Sequence, residues 1–217
     1  MKKLHGKDYM TVFLNGCCGN INHINYADKS SPRRGFDMAQ RCGYVLAVDA
    51  TEAIKDARHI STEMIMVSSE QLELKRFKVS DQMYRQAKEF LAQGQAQTHD
   101  NDGLPMQYAA PVWVRMYEEQ SESALTEVMV VRIGDLAIVA LPGEIFCEIG
   151  LEIKHKSPAK HTLIVELAND AIGYVPTKEA FGQGGYEPTP GAASYDQTTA
   201  QKLLDSALAQ LSKLFND

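Results

Sequence analysis

Residues 128–140 restrict the fold more than any other part of this 217-residue chain. Two apolar, β-prone runs, Val128-Met129-Val130-Val131-Arg132-Ile133 and Leu136-Ala137-Ile138-Val139-Ala140, are separated only by Gly134-Asp135. A two-residue connection between strands closes an antiparallel hairpin, and glycine in its first position suits a type II′ turn, which needs φ > 0 there. A sheet is therefore expected at the centre of the fold. Its helical counterpart lies at the other end of the pattern: Ala200, Leu203, Leu204, Ala207, Leu208, Leu211, Leu214 and Phe215 recur at helical spacing and trace one face of an amphipathic helix.

The same periodicities extend along the chain. Residues 62–67, 71–75 and 162–167 read as strands, and Tyr9-Met10-Thr11-Val12-Phe13-Leu14, stopped by Asn15-Gly16, reads as a core strand. Asp37 with Gln40 three residues on predicts a capped helix over 37–57, with Met38, Cys42, Val45, Leu46, Ala53, Ile54 and Ala57 on its inner face. A shorter helix is expected over 80–93, directing Met83, Ala87, Phe90 and Leu91 inward, and another over 144–155 after the Leu141-Pro142-Gly143 corner. Residues 93–107, with Gly94, Asn101-Asp102-Gly103 and Pro105, read as a mobile loop. There is no internal repeat and no regular βαβ alternation. The expected class is α/β (mixed α+β): a mixed sheet with packed helices and at least one antiparallel hairpin. Apolar residues make up 44% of the chain and charged ones 23%, enough for a folded domain that buries about 70% of its unfolded surface.

Charge narrows the partners. Lys plus Arg number 22 against 28 Asp plus Glu, a net −6 that argues against nucleic acid as a partner. No apolar run approaches the roughly 18 residues of a membrane span, so no transmembrane segment is read. The first eight residues have the charges of a signal peptide without its apolar core. Localisation stays open: cytoplasmic, or exported if the front of the protein is missing. Cys17 and Cys18 are adjacent, Cys42 and Cys147 are isolated, and no CxxC pair occurs; the four read as buried reduced thiols.

Three post-strand segments hold the candidate chemistry. Gly19-Asn20-Ile21-Asn22-His23-Ile24-Asn25 is dense in small and amide-bearing residues, which either present backbone N–H groups and polar side chains to a ligand or simply make a turn whose asparagines bond their own backbone. His23 is the one imidazole there, a base or metal ligand near neutral pH or else a surface residue. Glu144 is expected in the first turn of its helix, where a carboxylate compensates the dipole by about 0.3–1 kcal/mol or, held at the sheet edge, acts as a ligand or base. Asn169-Asp170-Ala171-Ile172-Gly173-Tyr174-Val175-Pro176-Thr177 and Gly184-Gly185-Tyr186-Glu187 follow another strand and offer phenolic oxygens. No HxH, HxxxH or HExxH spacing occurs among the six histidines. The three loops suggest one cleft at a sheet edge.

At these loops the chain resembles the neutral, non-lysosomal ceramidase family. Leu141-Pro142-Gly143-Glu144 is similar to that family's Pro-[Gly/Ala]-Glu corner, and Asn169 to Thr177 with Gly185-Tyr186-Glu187 to its Asn-…-Tyr-[Ile/Val]-x-Thr-…-Tyr-Glu stretch. Gly19 to Asn25 stands where the family has Gly-Asp-[hydrophobic]-Ser-Pro-Asn. The resemblance implies a zinc-dependent amidohydrolase that cleaves the N-acyl bond of a small-molecule or lipid-like amide. It implies zinc ligation by Glu144 and Tyr174, with two histidines expected from outside this chain, and a place for Tyr186 beside the scissile amide. Asn22 and His23 take the positions of the family's catalytic serine and following proline, and Gly19 and Asn20 fall in the substrate-binding turn. Asparagine there can donate a hydrogen bond to an oxyanion but cannot be a nucleophile.

Residues 1–217 would then be the C-terminal portion of a ceramidase-like catalytic domain, without its N-terminal portion or the family's C-terminal immunoglobulin-like domain. The partner expected for catalysis is an N-terminal half-domain, or a second copy that completes the metal site. The competing expectation is a non-catalytic domain that keeps the fold and binds a ligand or another chain.

Overall fold

The computed structural model describes residues 1–25, 27–28, 30, 35–60, 62–94 and 103–215. The chain divides into two compact units, Met1–Leu14 with Asn22–Ser61, and Asn15–Ile21 with Thr62–Asp217.

The first unit is helical, with α1 (Lys2–His5) and α2 (Phe36–Lys55). His5 Nε2 and Thr51 Oγ1 are 2.9 Å apart, and His5 stacks on Tyr9 at 4.7 Å. Two expectations change here. Residues 9–14 form no strand, and Met10, Val12 and Phe13 are 86%, 80% and 74% exposed. β-propensity expresses itself through pairing and burial, and the run has no ladder partner among the described residues. Helix α2 forms close to the expected span, but its N-cap is Gly35 with no side-chain cap, so Asp37 lies in the first turn instead of capping it. Only Ala47 is buried, Val45, Leu46, Ile54 and Cys42 are exposed, and Cys17, Cys18 and Cys147 are half-buried, so the expectation of four buried thiols is corrected.

The second unit holds the sheet. β1 (Ile65–Lys75), β2 (Ser123–Ile133), β3 (Leu136–Ala140) and β5 (His161–Val165) lie in the order β1-β2-β3-β5, antiparallel except for the parallel β3–β5 pair. The predicted hairpin is β2–β3, pairing Ile133 with Leu136; Gly134 has φ 54° and Asp135 does not share the positive φ, as a type II′ turn requires. The two strands read at 62–67 and 71–75 are the one strand β1. Ser68 is buried and Glu70 accepts Ser206 Oγ of α7 (Thr199–Phe215) at 2.6 Å, so polar residues that look like a break face a partner instead.

Helix α7 lies against β1, β2 and α5 (Cys147–Lys156). It buries Leu203, Leu204, Ala207, Leu211 and Leu214, the face its periodicity specifies, against Val128, Val130, Val139 and Ile153. Each such leucine contributes about 1.5–3 kcal/mol of burial. Ser80 caps α3 (Asp81–Ala92) by accepting from Met83 N at 3.2 Å, and α3 packs on α4 (Met106–Glu119). Most of the expected loop over 93–107 lies outside the described residues; its last two residues, Met106 and Gln107, open α4 instead. Two short parallel strands, β4 (Glu144–Ile145) and β6 (Tyr174–Val175), complete the unit with α6 (Lys178–Gln183). No described helix is long and apolar enough to cross a membrane.

Candidate functional site

The corner after β3 is built by close chain crossings. Leu141 N donates to Val165 O (2.8 Å), Ile172 N to Pro142 O (2.9 Å), Leu167 N to Gly143 O (3.2 Å) and Glu144 N to Gly173 O (3.0 Å). A Cβ on Gly143 would sit 2.6 Å from Gly173 O and 2.9 Å from Ile172 Cγ1, so only glycine lets the 172–174 backbone pass this close. These bonds put Glu144 and Tyr174 directly opposite each other in the β4–β6 pair. Glu144 is thus on a strand, and the helix starts at Cys147; the expected helical first turn is corrected, and Glu148 is the acidic residue at that helix start.

In a parallel pair, residues in register project to the same side. Burial and the adjacent Glu144 carboxylate push the Tyr174 phenol up to about 12. Tyr186 meets Tyr174 edge to face, with ring centroids 5.8 Å apart at 84°. The three residues read from separate loops, Glu144, Tyr174 and Tyr186, therefore form one half-open cluster.

The turn at 15–21 is fixed beneath this cluster by a residue that sequence reasoning missed. Glu166, 3% exposed at the end of β5, accepts from four donors: Ile145 N (2.9 Å) and Cys18 N (3.1 Å) on one oxygen, Asn15 Nδ2 (2.8 Å) and Cys18 Sγ (2.8 Å) on the other. Both carboxylate oxygens are saturated, which is what a buried carboxyl requires. Burial and the nearby Glu166 charge push the Cys17 thiol up to about 12, and burial with the Glu166 hydrogen bond raises Cys18.

Gly19 is buried, donates its N–H to Ile145 O at 2.8 Å, and lies so close to Glu144 that a Cβ would be 2.4 Å from its carbonyl oxygen. Asn20 accepts from Cys147 N at 2.8 Å, capping α5 from another part of the chain, and donates to Glu148 at 2.8 and 3.0 Å. Asn20, Phe146, Glu148, Thr177 and Glu187 line a groove of about 1050 Å³. Thr177 also caps α6, accepting from Ala180 N at 3.3 Å. Asn22 and His23 belong to the other unit and are exposed; Asn22 Oδ1 accepts from Ile24 N at 3.2 Å, the backbone-bonded turn that asparagine favours.

A zinc site takes three or four protein ligands, mostly imidazole nitrogen, thiolate sulfur and carboxylate oxygen. Glu144 and Tyr174 present their oxygens from in-register positions of β4 and β6, and among the described residues no group of three or more His, Cys, Asp or Glu side chains is placed to hold a metal. The pair fits as part of a ligand set.

The fold has a solved counterpart. The neutral ceramidase from Pseudomonas aeruginosa superposes on 87% of this chain at a TM-score of 0.54 and 19% sequence identity. The likeness is one of fold. The chain matches 35% of the length of that enzyme. A second structure, a ceramidase complexed with C2, is 24% identical over 41% of this chain and 15% of its own, at a TM-score of 0.35. No protein-family profile and no curated protein matches the chain.

Proposed function

We propose that this chain is part of the catalytic domain of a ceramidase-like, zinc-dependent amidohydrolase acting on the N-acyl bond of a lipid-like amide. The observation that carries the reading is the Glu144–Tyr174 pair, in register on two short parallel strands with Tyr186 against it, on a ceramidase-like fold. Glu144 and Tyr174 would hold the metal, with two histidines supplied from outside this chain. When bound, zinc supplies Lewis acidity toward the acyl carbonyl and activates water. Tyr186 would hydrogen-bond the amide, a role its exposure beside Tyr174 supports. Glu166 holds the 15–21 turn against β4 and so fixes the backbone on which Glu144 sits.

One observation favours a second reading. Asn22 stands in the position of the family's serine and bonds its own turn, which suits a domain that binds an amide lipid without cleaving it. The test is release of fatty acid from an N-acyl lipid amide by the chain with zinc and its upstream polypeptide. The enzyme reading predicts turnover that Glu144→Gln abolishes; binding without turnover supports the second reading, and neither binding nor turnover removes both.

A further inference from the structure

We infer that the pocket at the end of β1 is a binding site for an organic anion, a carboxylate or phosphate head carrying an apolar tail. The pocket, about 670 Å³, is of the size that holds small molecules. Lys75, Arg76, Lys78 and Lys202 line it beside the rings of Phe77 and Phe181. Four cations in one pocket stand out on a chain of net charge −6.

Three carboxylates, Glu73, Glu122 and Asp196, share the lining and leave it one net positive charge, and two of them are tied to local donors. Asp196 Oδ1 accepts from Thr198 N at 2.9 Å and from Thr198 Oγ1 at 2.6 Å, and Glu73 accepts from Ser123 Oγ. Glu122 stands 3.6 Å from Lys78, with both side chains more than 80% exposed, so that pair holds neither group firmly. Lys202 Nζ donates to Glu73 O at 2.7 Å, which fixes its ammonium at the pocket rim.

The centre of the site is Arg76. Its backbone is pinned on both sides, with Arg76 N on Glu122 O at 2.9 Å and a bridge to Tyr195. Its guanidinium lies 5.5 Å from the Tyr195 ring centroid, and Nε is buried without a hydrogen-bond partner. Neither Arg76 nor Lys75 makes an ion pair with any described residue. A guanidinium stripped of water on one side and unpaired on the protein attracts an anion more strongly than a solvated one, and its planar fork fits carboxylate or phosphate oxygens. Phe77 and Phe181 give the apolar remainder of the ligand a surface to cover.

Calorimetric titration of the 217-residue chain with octanoate, octyl phosphate, inorganic phosphate and octanol tests this. At least one octyl anion should bind saturably at one per chain, at least about tenfold tighter than both octanol and inorganic phosphate, and more weakly as salt rises. Preference for the carboxylate or for the phosphate identifies the head group. Arg76→Gln should weaken binding about tenfold, the loss of a charge-assisted contact, and Lys75→Gln, at an exposed position that the fold does not need, about threefold. Phe181→Ser should remove the advantage of the octyl ligands over inorganic phosphate. Octanol binding as tightly as the anions, unchanged affinity in both charge variants, or no saturable binding of either octyl anion up to about 10 mM would overturn the inference.

Discussion

Replacing Glu166 tests the packing beneath the candidate site. Glu166→Leu removes an acceptor for four donors, two of them backbone N–H groups, and Ile145, which supplies one, is fully buried. Leaving a buried donor unpaired costs about 1–3 kcal/mol, and Ile145 N and Cys18 N contribute two such losses. Asn15 is partly exposed and regains water, and removal of a buried carboxyl offsets part of the total, so a net loss of about 3–5 kcal/mol is expected. Glu166→Gln keeps one oxygen for the two backbone donors and faces Asn15 with an amide that a flip of the Asn15 side chain can meet. Its cost should be about 1–2 kcal/mol. In urea unfolding, with a slope of about 2 kcal/mol per M, the leucine variant should lose roughly 2 M in midpoint and the glutamine variant less than 1 M. Hydrogen exchange at Ile145 N–H should accelerate in the leucine variant first. Equal midpoints for the two variants, or a leucine loss below about 1 kcal/mol, would refute the view that the carboxyl is held by its donors.

Gly143→Ala puts a Cβ into the Gly173 carbonyl and should cost about 2–4 kcal/mol while disturbing the Glu144–Tyr174 register, seen as a midpoint loss together with changed tyrosine fluorescence; a loss below about 0.5 kcal/mol would contradict the crossing geometry. Cys17, pushed up from 9.0 to about 12, keeps its proton in the folded state where the unfolded chain loses it, so its contribution leaves stability unchanged below pH 9 and lowers it between pH 9 and 12. Cys17→Ala should therefore lose less stability than the parent between pH 8.5 and 10.5, and parallel curves would count against the shift. Alkylation at pH 8 should label exposed Cys42 faster than half-buried Cys17, whose thiol is pushed up; equal rates would contradict that shielding.

Local signals were legible in the sequence wherever one segment carried the whole pattern. The β2–β3 hairpin follows from Gly134, and α7 from its leucine spacing, because turn type and helical period need no distant partner. Helix α4 escaped reading: Pro111 lies inside it and normally punctuates a helix, yet the segment packs on α3 and Trp113 Nε1 bonds Pro190 O at 2.7 Å. The run at 9–14 is the converse, strong propensity without a ladder.

The site was legible only in part for the same reason. Glu144, Tyr174 and Tyr186 stood out by resemblance, but their convergence depends on a two-residue strand pair whose members are thirty residues apart in sequence. Glu166 carries no motif. A lone acidic residue at a strand end becomes a hub only when β4 and the 15–21 turn arrive around it, and its place within the apolar run 162–167 was the one available hint.

The proposal that Glu144 and Tyr174 form the oxygen half of a zinc site is tested most directly by zinc affinity, measured by chelator competition on the 217-residue chain with and without imidazole as a stand-in for the two proposed histidine ligands. The parent should bind one zinc weakly, and imidazole should tighten that binding by about tenfold or more, while Glu144→Gln and Tyr174→Phe each lose both effects. Zinc affinity and imidazole response that are the same in the parent and in both variants would contradict the assignment.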